Sequence, residues 1–415
     1  MTEKAGNDTE TKNMTIKTQS IMKKYFIIAA AAIVAMAACT KVETFDNTPD
    51  TLINFTVVNH LQQTKATAGL TYPTTVPFGT FAWWTQDTWA NTANADKQHF
   101  VFMENQEVNY SNNQWLPTTA YYWTKTGNIT FASYSPYTAS GNDHGYTAVP
   151  EYDVTNGFLF NNYTIVADTD VDLMYANLAA DCNKTTNADG SAVTDSSNPE
   201  GNYAGVPTIF NHALCQIGFE FRAIGRKNPN VSDIKIVITD VDIKNIDNKG
   251  TFTQAAATKW ATDHANNTAD YDFAPASAME LSLLDGTDAS VVGATNNYTA
   301  LGKTRILLPQ SLLVSLDANN NNEPVAIATT TDQKIEVKYT IKTKYTSAPD
   351  EWATEEVTST VRLNNGTIVA WADNQNITYR ISINPYSTIP VTFDPAIVDW
   401  TDVYSTDINL NEFDD

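Results

Sequence analysis

Cysteine is scarce in this chain. Its 415 residues include three, Cys39, Cys182 and Cys215, too few for a disulfide framework or a four-thiolate zinc site. Beyond Cys39, a single Cys182–Cys215 bridge is the most that an oxidising compartment could produce. Histidine is sparse as well: His60, His99, His144, His212 and His264 are scattered without metal-ligand spacing. His212 stands at the start of an apolar strand pattern, where packing or hydrogen bonding is preferred over a ligand role. No glycine-rich phosphate loop, nucleophile elbow or HExxH string occurs, so the pattern does not point to an enzyme or to a cofactor. Asp168, Asp170 and Asp172 could offer oxygens to calcium, but the glycine and glutamate of an EF-hand loop do not follow them. A turn leading into a strand is the preferred reading there, and no metal site is expected. Basic residues number 25 against 47 acidic ones, a net charge of −22. That sign argues against nucleic acid and an anionic membrane surface as direct partners, because phosphates demand the opposite charge.

Long apolar runs are nearly absent too. The exception is Tyr25 to Ala38, preceded by Lys23 and Lys24 and followed by Cys39. It is shorter than the ~20 residues a membrane span requires, and it has the charge, length and small-residue exit of a secretory signal peptide. The string Met36-Ala37-Ala38-Cys39 resembles a bacterial lipobox, which implies cleavage before Cys39 and lipidation of that cysteine. Several acyl chains, at about 0.8 kcal/mol per buried methylene, would hold such a protein on a membrane durably. Residues 1–21 are polar and make an unusual n-region, so translation is expected to begin at Met22. Residues 1–38 are read as leader and signal peptide and 39–50 as a tether. Removing residues 1–38 takes away three acids and five lysines, leaving 20 − 44 = −24.

What the chain has in abundance is period-two alternation, the mark of strands with one buried face. Ile53, Phe55 and Val57 open the series, followed by Thr80–Trp84, Phe100–Tyr110, Tyr121–Trp123, Ile129–Tyr134 and Val171–Tyr175. Asp181–Tyr203 is rich in Asn, Asp, Ser and Gly and reads as a long surface loop. Phe210–Phe221 reads as one strand with Cys215, Ile217, Phe219 and Phe221 on its core face. Gly225–Asp233 has linker composition, placing a domain boundary at 226/227; a cut near Gly205 is the alternative. In the second half Ile234, Ile236 and Ile238 face one way and the phase then shifts to Val241 and Ile243, which predicts a bulge near Asp240. Ile335–Ile341 and Val357–Leu363 alternate as partners, and Ile377–Ile383 and Ile389–Phe393 continue the sheet. Many short strands without a long amphipathic helix predict an all-β chain of two sandwiches, residues 51–226 and 227–415.

A series of strings then carries a resemblance to the fimbrillin-like family, the type V pilus subunits of Bacteroides-type bacteria. They are Pro77–Phe81, FMENQEVNY with Trp115, Tyr121–Tyr137, Val171–Tyr175, FNHALCQIGFEF, Gly250–Phe252 with Trp260, Leu307–Gln310, and Trp371, Tyr379 and Trp400. The resemblance implies two tandem transthyretin-like Greek-key β-sandwich domains behind a lipoprotein signal peptide. It also implies export to the cell outer membrane and assembly with other fimbrial subunits into a surface fimbrium. In the family a protease removes the first strand and a neighbour's terminal strand fills the slot, as an open sheet edge demands. Carried onto this sequence, the displaced strand would hold Ile53, Phe55 and Val57, and the cut would fall between Lys65 and Ala66. Lys65 also reads as an ordinary loop lysine, and no arginine lies between Cys39 and Arg222 for an arginine-specific protease.

The donor-strand candidate is 402–411, where Tyr404, Ile408 and Leu410 share an apolar face. Its alternative is a tail that merely completes its own domain. A second functional class is adhesion. Trp83, Trp84 and Trp89 are candidates for a platform that stacks a host glycan or meets a host protein. The adjacency of Trp83 and Trp84 predicts one in the core and one at the surface.

Overall fold

The computed structural model describes residues 52–59, 72–92, 100–124, 126–166, 171–183, 205–226, 228–292, 294, 297–327, 330–386 and 391–399. These fall into two compact units. One holds Leu52 and Tyr122, joined by an isolated antiparallel bridge; the other, Ile53–Tyr121 and Gly127 onward, holds every strand named below. Alternating β-branched and aromatic residues dominate it, and the result is nearly all β. Among the described residues the only α-helical segments are the single turns Trp89–Thr92 and Ala289–Val292.

The first sheet contains β1 (Phe55–Asn59), β2 (Phe78–Thr85), β3 (Phe100–Ser111), β4 (Gln114–Pro117), β5 (Asn128–Ser135), β8 (Met174–Ala176), β9 (Ala179–Cys182) and β10 (Val206–His212). Its order is β2-β3-β4-β1-β10-β8-β5-β9, and β2 also pairs with β5. Seven strands therefore close a hydrogen-bonded circuit, with β9 attached at β5. A second sheet of four strands contains β6 (Glu151–Asp153), β7 (Gly157–Thr164), β13 (Lys249–Thr253) and β14 (Trp260–Thr262), in the order β14-β13-β7-β6. It joins strands from either side of residues 226/227, because β13 takes β7 as its antiparallel partner.

The largest sheet follows the path β22-β21-β12-β16-β11-β23-β24. These are β22 (Ala353–Arg362), β21 (Lys334–Tyr345), β12 (Val231–Asp247), β16 (Met279–Asp285), β11 (Cys215–Gly225), β23 (Gln375–Ile383) and β24 (Val391–Asp399). β15 (Thr268–Asp272) pairs with β12, and β17 (Thr299–Ala300) and β18 (Arg305–Leu307) pair with β11. A small ladder of β19 (Leu316–Asp317) and β20 (Glu323–Pro324) stands apart. The expected bulge is present: the register of β12 against β21 slips between Ile238 and Asp240, which keeps both Ile236 and Val241 buried. Ile335 faces Val361 and Tyr339 faces Val357, the pairing that the alternation foretold.

Some expectations require correction. Phe210–Phe221 is two strands rather than one. The chain leaves the first sheet after His212, passes through the buried pair Ala213–Leu214, and enters the largest sheet at Cys215. The strand expected at Val171–Tyr175 is β8, displaced to Met174–Ala176, and that expected at Ile389–Phe393 is β24. Tyr121–Trp123 forms no strand beyond the bridge at Tyr122. Asp181–Cys182 belongs to β9, while the rest of the expected loop lies outside the described residues apart from Asn183.

The cores are apolar and rich in aromatic rings. The largest sheet encloses an aliphatic cluster that includes Ile236, Ile243, Val337, Ile377 and Ile381, with Phe219, Tyr379 and Trp371 among them. A second cluster draws on both halves of the chain: Trp83, Tyr134, Phe158, Phe160, Tyr175, Leu214, Phe252 and Trp260 pack together.

Candidate functional site

β1 is the link between β4 and β10, and it closes the seven-strand circuit. It runs parallel to β10, with Phe55 to Asn59 in register with Val206 to Phe210, and meets β4 at Trp115. Backbone bonds fasten its entry: Ile53 N–H donates to Tyr121 O at 2.8 Å, and Val206 N–H donates to Asn54 O at 2.8 Å. Gly205 makes the approach feasible. Its φ is +116°, and a Cβ there would lie 2.7 Å from the Phe55 carbonyl carbon, so a side chain would push β1 away.

The alternation read from the sequence is realised. Ile53 and Phe55 are buried, Val57 is half-buried and Thr56 faces solvent. Phe55 packs edge to face against Phe78 at 5.5 Å and Phe131 at 5.6 Å between centroids. Burying Ile53 and Phe55 contributes about 3–6 kcal/mol together. Chemically, this is a slot: taking β1 away would expose two strand edges and an aromatic pocket at once.

Tyr72 is a slot residue that sequence reasoning missed. It joins the two walls of the slot, stacked on Phe210 of β10 at 5.0 Å and edge-on to Trp115 of β4 at 5.2 Å, and its hydroxyl shares a 2.6 Å hydrogen bond with Ser135 Oγ. Burial pushes its phenol far above the ordinary value, with the Ser135 bond acting the other way. The available signal was an aromatic residue in an otherwise polar loop just before Pro77–Phe81.

The other expected residues divide. Cys39, Lys65, Ala66, Tyr404, Ile408 and Leu410 lie outside the described residues, as do His60, His99, Asp168 and Asp170. The backbone of β24 is described and pairs with β23 from Ile383–Val391 to Gln375–Asp399, and Asp399 is the last described residue.

Trp83, Trp84 and Trp89 do not form one exposed platform. Trp83 and Trp89 are both buried, 5.6 Å apart, and Trp83 also packs on Tyr152 at 5.0 Å. Trp89 opens the single helical turn Trp89–Thr92, its backbone N–H donating to Asp181 Oδ1 at 2.7 Å while its ring is buried. Trp84 is half-buried and packs against Phe100, which is 53% exposed beside Val101 at 64%.

Several titratable groups among the described residues are engaged in structure. His212 Nδ1 lies 2.9 Å from Asp172 Oδ2, and His264 Nδ1 lies 2.6 Å from Asp247 Oδ1. Carboxylates of Asp240, Asp242 and Asp272 gather within 4.8 Å of one another. Each is paired with a lysine, Lys338, Lys244 and Lys303 respectively, so the cluster is charge-balanced by the chain itself. Cys182 and Cys215 are free and buried. Burial pushes the Cys182 thiol up to about 12 and that of Cys215 higher still, so neither is a ready nucleophile.

A family model described as fimbrillin-like matches residues 46–400. The structure of a fimbrial protein from Bacteroides vulgatus resembles this fold over 85% of this chain and 100% of its own, at 17% identity and a TM-score of 0.53. A candidate cell adhesion protein from Bacteroides uniformis matches over 86% of this chain and 100% of its own, at 14% identity and a TM-score of 0.41. One from Parabacteroides distasonis matches over 84% and 99%, at 13% identity and a TM-score of 0.44. No curated protein matches the sequence.

Proposed function

The chain belongs to the fimbrillin-like family, and from that premise we propose that it is a structural subunit of cell-surface fimbriae. In this reading it is exported as a lipoprotein anchored through Cys39 in the outer membrane. Cleavage between Lys65 and Ala66 then frees the segment bearing β1, and the terminal strand of a neighbouring subunit, residues 402–411, takes its place. The activity is strand exchange rather than catalysis, and the partners are other fimbrial subunits.

The observation that carries the reading is the position of β1. It alone bridges β4 and β10 among the described residues, and its Phe55 fills an aromatic pocket between Phe78 and Phe131. A strand so placed cannot leave an empty slot behind without exposing ladder groups and core together, so a replacement strand is held strongly. The test is an Ile408→Asp, Leu410→Asp double variant. Loss of polymerisation with normal export is expected, and normal polymerisation would overturn the donor assignment.

A second reading, a surface lipoprotein or fimbrial tip adhesin that meets glycans or host protein, draws its support from the exposed Phe100 and Val101 beside Trp84.

A further inference from the structure

Val206–Gly225 serves two sheets in succession. Its first part, β10, is the parallel neighbour of β1 and forms one wall of the slot. Its second part, β11, pairs in parallel with β23 from Gln216–Asn376 to Ala223–Ile383. β23 in turn holds β24, whose last residue, Asp399, is in register with Gln375. The slot wall is therefore connected through the Ala213–Leu214 step and the β11–β23 pair to the strand that ends at Asp399.

That step has the makings of a hinge, because neither residue belongs to a ladder, yet it is held from three directions. Ala213 N–H donates to Leu173 O at 2.8 Å, and Asn374 N–H donates to Leu214 O at 3.0 Å. Trp260 of β14 donates its indole N–H to Ala213 O at 2.6 Å. The neighbouring Lys259 extends the same grip: its ammonium donates to Tyr175 Oη of β8 at 2.8 Å and to Asp373 Oδ2, just before β23, at 2.6 Å. One short hairpin thus touches the first sheet, the connecting step and the start of the last strand pair. Burial alone would lower Lys259, but its bonds to Asp373 and Tyr175 hold it above the ordinary lysine value, so the grip is a charged one at physiological pH. Phe252, on the other strand of the hairpin, stacks on Phe160 at 5.2 Å and seats the hairpin in the shared aromatic cluster.

We propose that Lys259 and Trp260 act as a clamp that locks the slot wall to the root of the tail. The strand that a subunit accepts and the strand that it donates are then held at a fixed spacing. The consequence for a fibre rests on the strand-exchange reading above; the clamp itself does not. Lys259 and Trp260 are positioning residues, for their bonds go to the step and to the residues beside it, Tyr175 and Asp373.

The experiment is amide hydrogen exchange on the full-length chain, wild type against a Lys259→Met, Trp260→Phe double variant that keeps the apolar bodies of both side chains. Opening of the step would release the Ala213 and Asn374 amides. Loss of a hydrogen bond to a buried carbonyl predicts exchange at these two amides faster by about tenfold or more. The Val237 amide, inside β12, should keep its wild-type rate. Unchanged exchange at Ala213 and Asn374 would overturn the clamp, and so would an equal acceleration at Val237, which would mean a global loss of stability. Fibre stiffness then reads the consequence separately: variant fibres should bend more readily than wild-type ones. Clamp-dependent exchange with no fibres from either chain would sink the strand-exchange reading and leave the clamp standing.

Discussion

Phe55 and Phe131 meet edge to face at 5.6 Å although their strands are not neighbours in the hydrogen-bonded circuit. The first strand is therefore both a rung of the ladder and a filler of the core. Phe55→Ala should lower the stability of the full-length chain by about 3–5 kcal/mol. A urea melt checks this, and a loss below about 1 kcal/mol would mean that the pocket is filled by something else.

Trp83 and Trp89 are core residues. Trp83→Ala and Trp89→Ala should each destabilise the fold by about 3–5 kcal/mol. Were they a sugar platform, the same substitutions would abolish glycan binding while leaving the thermal midpoint in place.

Cys182 and Cys215 should resist thiol reagents in the native protein and react together once it unfolds. Both are buried, and their thiols are held well above the ordinary value by desolvation. Labelling with and without denaturant decides it; rapid modification of either under native conditions would contradict the burial.

Asp332 supplies a pH test. Burial would raise its carboxyl, but it accepts bonds from Arg362 Nε and from Ser315 Oγ and N–H, which hold it below the usual carboxylate range. A depressed folded value means that this contribution is present above the unfolded value and is lost as pH falls through the folded one. Asp332→Asn should therefore cost about 3 kcal/mol at neutral pH by removing the counter-charge of the largely buried Arg362 guanidinium, which keeps its bond to the Val325 carbonyl. The gap from wild type should narrow below about pH 4. Urea midpoints at both pH values check the sign.

Much of the fold was legible because burial on one face writes itself as alternation. Ile53, Phe55 and Val57 announced β1, and the phase change around Asp240 announced a bulge that the ladder shows. What alternation does not encode is pairing at a distance. Nothing local to Phe55 says that its neighbour is Val206, or that the two run parallel. The break at Ala213–Leu214 was hidden because two apolar residues continue the pattern on either side of it. The inward turn of Trp89 and the core position of Tyr72 depend on loops, where side-chain direction follows tertiary contacts rather than period. The slot was thus readable in its strand but not in its walls.

In the fibre, β1 is predicted to be exchanged for a neighbour's strand. The measurement that tests it most directly is the intact mass and N-terminal sequence of the protein sheared from native cells. High-molecular-weight fibres whose subunits begin at Ala66, and so lack Phe55–Asn59, are the predicted result. Fibres built from chains that retain Phe55–Asn59, or a lipidated Cys39 on a monomer confined to the membrane fraction, would contradict it.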